Sequence, residues 1–248
     1  MSEPQRAVLI EVGLLYVVTL LAIRGIVSLV QGLGLPDVLL VAVPVLFMYA
    51  PVWSCRLRGA DPWAYPMALP DWPWNNPGDW WRALRWGGGL SLLVAIPFVV
   101  GYHVWQIELV PLVQDALGVR LYPIPPRLRW IWPSNLPLLV AYHLFYVAIP
   151  EEMFYRGYMQ TRLDEVWAPR WSIAGAVVGP GLLVTCVLFA LGHSLVVVQW
   201  WHVFIVIPSL GFGWLRARTG GVLAGAFFHA WCNVSVGTLD TLYGIVPP

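Results

Sequence analysis

The chain has very little charge for its length, and it contains no lysine. Of its 248 residues, 11% are charged and 59% are hydrophobic, whereas a typical soluble domain has about 25% charged residues. So few charges could not cover the surface of a soluble protein. We therefore predict an all-α fold, a polytopic transmembrane helical bundle in a lipid bilayer. The formal net charge of +1 gives no reason to expect a nucleic-acid partner.

Cysteine is scarce as well. The three cysteines, Cys55, Cys186 and Cys232, match no zinc or redox spacing, so we expect no disulfide framework. Free cysteines of this kind usually behave as small buried apolar residues. All fourteen basic residues are arginine, which favours a bacterial source with a GC-rich genome. We therefore expect a multi-pass protein of the cytoplasmic (inner) membrane of a bacterium.

The chain contains several long apolar runs. A helix that crosses the hydrocarbon needs about 20 apolar residues, and about seven segments approach that measure. The candidates are Ala7–Val30, Pro36–Trp53, Gly88–Gln106, Leu136–Tyr158, Ile173–Leu191, Val196–Trp214 and Val222–Tyr243. The first run lacks a small-residue cleavage site, so we expect it to stay as an anchor.

The distribution of arginine predicts the orientation and the division of the chain. Basic residues prefer cytoplasmic loops, and a cytoplasmic N-terminus leaves only Arg120, Arg127 and Arg129 outside. Seven crossings would then place Pro247 and Pro248 outside. We expect a Trp-rich interfacial loop over 61–85 and an extended loop over 111–137. Residues 1–134 would form the N-terminal part, and residues 135–243 the functional core.

Two adjacent carboxylates and an arginine interrupt the fourth apolar run. An ionisable group at membrane depth costs several kcal/mol unless it is paired or faces a wet cavity. The spacing of Glu152 and Arg156 stacks them on one helix face, so we expect an ion pair. Glu151 is turned by about 100° from Glu152 and points elsewhere. We interpret this stretch as the functional site.

Two further motifs with four-residue spacing lie on later apolar runs, Phe189-x-x-x-His193 and His229-x-x-x-Asn233. A desolvated carboxylate can act as a general base, and a histidine can share in activating water or protonate a leaving amine. A second histidine and an amide can stabilise an oxyanion. The same Glu and His side chains could instead bind zinc. His143 is interpreted as a packing residue, and so is His202.

The three motifs in this order resemble the CPBP family of intramembrane proteases, which includes type II CAAX prenyl endopeptidases and the Abi and lysostaphin-resistance-like proteins. The family pattern is Glu-Glu-x-x-x-Arg, then Phe-x-x-x-His, then His-x-x-x-Asn or Asp. No matched position departs from it, and the resemblance covers roughly Asn135–Asp240. It implies that Glu151 activates water with the help of His193. It also implies that Glu152 and Arg156 maintain the electrostatics and geometry of the site.

The resemblance implies that His229 and Asn233 form the oxyanion site. It further implies a glutamate-type enzyme without a cofactor, while zinc held by Glu151, His193 and His229 stays the alternative. The expected activity is hydrolysis of a peptide bond near a membrane-embedded or lipid-linked C-terminal segment of a membrane protein or peptide. CAAX-type processing, precursor processing and removal of a myxosortase-like sorting tail are all compatible with the motifs.

Three other interpretations stay open at this point. A non-proteolytic membrane scaffold or immunity protein could keep the same fold, although it would not need both histidines and Asn233. A proton-coupled transporter could use Glu151, Glu152 and His193 as a relay, although the sequence shows no inverted repeat. A thiol mechanism could use Cys232, although its position next to Asn233 predicts a different helix face.

Overall fold

The structure is a computed structural model that describes residues 2–71, 73–122, 126–197 and 199–245. The predicted outer location of Pro247 and Pro248 falls outside these residues. Within them, 76% of the chain is helical, there are seven helices, and strand is almost absent, which confirms the all-α prediction.

The first three helices are the longest. Helix α1 is Glu3–Gly32. Helix α2, Asp37–Leu57, starts with the 3₁₀ turn Asp37–Val41 and continues as Ala42–Leu57, and a short 3₁₀ turn, Pro62–Ala64, follows it. Helix α3, Pro77–Leu117, is made of Pro77–Val104, a π-helical segment Trp105–Leu109, and Val110–Leu117. All three are long and apolar enough to cross a membrane.

Four helices and a hairpin make up the rest. Helix α4 covers residues 136–166 as Leu136–Ala141, the π-helical Tyr142–Ala148, Ile149–Glu152, the π-helical Met153–Gln160, and Thr161–Val166. Strands β1 (Trp171–Ile173) and β2 (Ala176–Val178) form an antiparallel pair. Helix α5 is Pro180–Val196; helix α6 covers 200–219 as the 3₁₀ turn Trp200–Ile205 and Val206–Thr219; helix α7 is Leu223–Leu242.

Three of the predicted boundaries are wrong. The fifth helix does not begin at Ile173, because Ala174 and Gly175 take positive φ angles of 45° and 78° and turn the chain into the hairpin. The helix starts instead at Pro180, a favourable first position. The loop predicted over 61–85 ends before residue 77, because Pro77 begins α3. The loop predicted over 111–137 starts after residue 117, because α3 continues to Leu117. Gly118 in the left-handed conformation ends the helix there.

Proline explains two of the π-helical segments. A proline inside a helix has no N–H to donate to the carbonyl four residues earlier, and its ring crowds that carbonyl. For Pro150 that carbonyl belongs to Tyr146, inside the π segment Tyr142–Ala148; for Pro111 it belongs to Ile107, inside Trp105–Leu109. The helix widens before each proline instead of breaking. In α4 the widened turns come directly before the Glu151–Glu152 pair.

Polar contacts between helices lie at both ends of the bundle. At one end Glu11 of α1 meets Arg58 at 3.0 Å and Arg162 at 2.6 Å. Ser54 Oγ donates to Glu11 at 2.9 Å, and the Tyr158 hydroxyl donates to it as well. We call this cluster the Glu11 network.

The other end of the bundle is joined by different contacts. The Tyr102 hydroxyl on α3 donates to Asp240 on α7, and His103 is hydrogen-bonded to Tyr243. Near the same end, Arg24 of α1 donates to the carbonyl of Leu195 at the end of α5. From Arg162, Glu151 is eleven positions away along α4, roughly 16 Å at 1.5 Å per residue, so the carboxylate pair lies near the middle of the bundle.

Candidate active site

Glu152 and Arg156 form a buried ion pair on α4. Arg156 Nη1 lies 3.0 Å from Glu152 Oε1, and both side chains are 0% exposed. The four-residue spacing brings the two groups together although Arg156 belongs to a π-helical segment. The predicted ion pair is confirmed. Arg156 is one of the largest fully buried side chains of the described residues.

Residues from two other helices complete the surroundings of Arg156. Its Nη2 donates to Ser209 Oγ of α6 at 2.6 Å. The guanidinium carbon lies 4.2 Å from the ring centre of Phe189 and 5.0 Å from that of Phe212. A cation over an aromatic face is stabilised by the ring quadrupole, most strongly where water is excluded. Phe189 thus contacts the arginine as well as His193, whose ring centre is 4.6 Å away.

Glu151 faces both histidines of the later motifs. Its Oε2 lies 3.9 Å from His193 Nε2 and 3.9 Å from His229 Nε2. These distances are too long for direct hydrogen bonds, and Oε2 is buried without a hydrogen-bond partner among the described residues. A gap of this length between polar groups is the length that one bridging water spans. The structure therefore brings Glu151, His193 and His229 around one small space.

The other nitrogen of each histidine fixes the orientation of its ring. His193 Nδ1 is 2.9 Å from the carbonyl of Phe189, which can only accept, so Nδ1 carries the hydrogen and Nε2 is left to face Glu151. His229 Nδ1 is 3.1 Å from Glu152 Oε1 and donates to it. The His229 ring also stacks on Phe212, with ring centres 4.6 Å apart. Each imidazole is thus held by a hydrogen bond at Nδ1, and its Nε2 faces Glu151.

Two cavities meet at this site. The larger one, of about 870 Å³, lies between α3, α6 and α7 and is mostly apolar; His229 and Asn233 line it. The smaller one, of about 340 Å³, lies between α1, α2 and α5, and Glu151 lines it. His193 lines both cavities. The row of catalytic candidates therefore separates an apolar chamber from a smaller space that reaches the Glu151 carboxylate.

Several residues that line the site carry no signal in the sequence. Ser209 and Phe212 carry no motif, and only the fold places them against Arg156 and His229. His143 and His202, interpreted as packing residues, both line the larger cavity. Cys232 was expected on a different helix face from Asn233, yet the two residues line the same cavity. No pattern in the sequence marks these contacts, because they join helices that are far apart in the chain.

The donor geometry bears on the zinc alternative. In the described part of the chain, no group of three His, Cys, Asp or Glu side chains is disposed to hold a metal ion. His229 Nδ1 is engaged with Glu152, which leaves Nε2 free, as it is in many histidine ligands of metals. Zinc held by Glu151, His193 and His229 therefore stays the alternative, and the chemistry below is derived from the side chains alone.

The fold and the site define a membrane-embedded helical protein with two carboxylates, an arginine and two histidines converging beside an apolar chamber. Residues 133–235 match the family model described as type II CAAX prenyl endopeptidase Rce1-like. This match confirms the resemblance to the CPBP family. Searches against curated proteins and against solved structures gave no match.

The matched region ends two residues after Asn233, so it contains all six predicted catalytic residues. The family is one of proteases that act on membrane-associated substrates, and the protein is an integral membrane protein. The division at residue 134, the individual catalytic roles and the absence of a metal stay predictions.

Proposed function

We propose that the protein is a glutamate-type intramembrane endopeptidase of a bacterial inner membrane, which cleaves a peptide bond close to a membrane-embedded or lipid-linked C-terminal segment. The observation that carries this proposal is the position of Glu151 Oε2, buried, without a hydrogen-bond partner among the described residues, and 3.9 Å from two histidine nitrogens. A general base needs to be within hydrogen-bond reach of the proton it removes, directly or through one water.

In the proposed reaction, one water lies between Glu151 and His193 and donates to both. Glu151 removes a proton as the water oxygen attacks the peptide carbonyl carbon, and a tetrahedral oxyanion forms. When the C–N bond breaks, the proton passes from Glu151 to the leaving amine, so that water and peptide become one carboxylic acid product, which keeps the second water proton, and one amine product. His193 is the acceptor that orients the water, because its Nδ1 hydrogen is already donated to Phe189.

The oxyanion would be stabilised by His229 and Asn233, which line the larger cavity together. With Nδ1 donating to Glu152, His229 can donate from Nε2 only as the imidazolium. Preorganised donors of this kind act strongly in a water-poor site.

The larger cavity supports a substrate with an apolar segment. Leu90, Val94 and Phe98 of α3 face it, and Phe228 and Val236 of α7 complete its apolar wall. A cavity of about 870 Å³ has the size of sites that hold drug-sized molecules. The smaller cavity beside Glu151 supplies a separate route for water, so that substrate and nucleophile would approach the reacting atoms from opposite sides.

The test is cleavage by purified protein in bicelles of reporters that differ in their C-terminal segment: a prenylated peptide, a transmembrane sorting tail and a precursor peptide. The product ends are identified by mass spectrometry. Glu151→Gln keeps the shape of the side chain and should lower kcat by roughly 10²–10⁴-fold. Glu108→Gln, an exposed position on α3, is the matched control. Cleavage of any reporter that persists in Glu151→Gln would contradict the proposal.

A further inference from the structure

Asp240 is a carboxylate at the far end of the larger cavity. It lines the same chamber as His229 and Asn233, in a wall that is otherwise mostly apolar. One of its oxygens accepts from the Tyr102 hydroxyl of α3. The ion pairs among the described residues do not include Asp240. The carboxylate therefore borders the chamber without an ion-pair partner among the residues that the structure describes.

The hydrogen bond from Tyr102 does not explain why residue 240 carries a charge. An asparagine in this place would accept the same bond from Tyr102 and would avoid the cost of a carboxylate at membrane depth. Intramembrane ionisable residues are expensive, and they usually mark a site whose partner comes from the substrate or another charged group. Because Asp240 faces the chamber, a cation that enters the chamber can pair with it.

The distance from Asp240 to the reacting residues determines how many substrate residues lie between them. Asp240 follows His229 by eleven positions on α7, which corresponds to roughly 16 Å along the helix axis. An extended peptide advances about 3.3–3.6 Å per residue, so about five residues separate a group at His229 from a group at Asp240. The wall between the two positions includes Trp231, Val236 and Gly237, which suits apolar residues in the intervening stretch.

We propose that Asp240 is a specificity-determining residue that binds a basic side chain of the substrate, about five residues from the scissile bond. The register rests on the proposed function, because the distance is counted from His229; the pairing itself does not. Tyr102 is the positioning residue, since its hydroxyl holds the carboxylate against the chamber. The substrate segment is therefore apolar, with one arginine or lysine at its end.

The first experiment measures binding without catalysis. Fluorescein-labelled eight-residue Leu/Ala peptides that carry one arginine, or glutamine at the same position, are titrated against Glu151→Gln protein in a non-ionic detergent. This background prevents turnover and removes Glu151 as a competing anion. Fluorescence anisotropy should show about tenfold tighter binding of the arginine peptide, the factor that one partly desolvated ion pair supports. In Glu151→Gln/Asp240→Asn the two peptides should bind equally.

Three controls separate recognition from structure. Asp115→Asn removes an exposed carboxylate outside the chamber and should keep the preference. Tyr102→Phe removes the hydrogen bond and keeps the charge, so the preference should shrink but persist. Gly237→Leu should weaken binding of both peptides, because a Cβ there meets only Leu139 at 4.0 Å and the longer side chain extends into the chamber.

The second experiment measures, in the active protein, how far the preferred basic residue lies from the scissile bond. An arginine is moved one position at a time along a cleaved reporter, on each side of the scissile bond, and kcat/KM should be highest about five residues away on one side. Equal binding of the arginine and glutamine peptides, or a preference unchanged by Asp240→Asn, would overturn the proposal. If Tyr102→Phe removes the preference for the arginine peptide as completely as Asp240→Asn does, the Tyr102–Asp240 hydrogen bond only connects α3 to α7. Normal cleavage by Glu151→Gln would overturn the catalytic scheme and leave the binding result standing.

Discussion

Arg156→Ala is the substitution for which the structure predicts the largest loss at the site. Arg156 and Glu152 are both 0% exposed and lie 3.0 Å apart. Removal of one member of such a pair leaves an uncompensated buried charge, which costs roughly 3–5 kcal/mol. A single domain is commonly stable by only about 5–15 kcal/mol. We therefore expect the apparent midpoint of thermal unfolding in detergent to fall by several degrees or more.

The same substitution should also affect catalysis from a distance. Glu152 Oε1 lies 3.0 Å from Arg156 Nη1 and accepts a hydrogen bond from His229 Nδ1, so the carboxylate positions the histidine. Without Arg156, Glu152 either takes up a proton or moves, and in both cases His229 loses its support. We expect activity to fall as far as it does in Glu151→Gln, although Arg156 contacts no substrate atom in the proposed scheme.

Two companion variants make the measurement specific. Arg156→Lys should recover only part of the activity, because an ammonium group lacks the planar fork that reaches Glu152 and Ser209 at once. Glu152→Gln combined with Arg156→Gln removes both charges and should unfold at a higher temperature than Arg156→Ala. The surface pair Arg82–Asp79 is the control, with side chains 55% and 37% exposed; Arg82→Ala should cost about 1 kcal/mol or less. Near-normal cleavage by Arg156→Ala would refute this reasoning.

Three further predictions concern the metal, the thiol and the topology. Chelators should leave the activity of purified protein intact; stoichiometric zinc whose removal abolishes activity would contradict the glutamate-type assignment. Cys232→Ser should retain most cleavage, and a loss there combined with an active Glu151→Gln would favour a thiol mechanism. In a protein without native cysteines, a cysteine replacing Asp71 should label from the cytoplasm and one replacing Ile245 from outside, and labelling of both from one side would exclude seven crossings.

The local part of the site could be predicted from the sequence. The Glu152–Arg156 pair follows from helix geometry alone, since residues four apart share a face. The different direction of Glu151 follows from the same geometry, although the sequence did not show that it would lie equally far from His193 and His229. The motif order identified the family because three short patterns on separate apolar runs are more specific together than any one of them alone.

Contacts between distant helices could not be predicted in this way. His229 is 77 positions from Glu152, and Ser209 is 53 from Arg156, so no periodicity in one segment relates them. His229 was therefore assigned to the oxyanion site or, in the alternative, to zinc, and its bond to Glu152 was missed. The helix ends were misjudged for another reason: hydropathy does not distinguish an apolar hairpin from an apolar helix, and Trp-rich first turns do not resemble an amphipathic start.

The N-terminal helices carry no family motif, yet they are tied to the catalytic core by the Glu11 network. Glu11 is 16% exposed and Arg162 is 8% exposed, so the pair is less buried than Glu152–Arg156. Glu11→Gln would leave Arg58 without its carboxylate partner and Arg162 paired with Glu165 alone, and we expect a loss of roughly 1–3 kcal/mol, below the range for a fully buried pair.

This network lies roughly 16 Å from Glu151 along α4 and touches no residue of the catalytic cluster. The activity per folded molecule of Glu11→Gln should therefore match that of the unmodified protein, while its unfolding temperature falls. Arg156→Ala should lower both quantities. Unfolding temperature and kcat, measured on the same preparations, separate the two cases. A Glu11→Gln protein that unfolds normally but cleaves slowly would mean that the first helix takes part in catalysis, and the core would then have to include residues before 135.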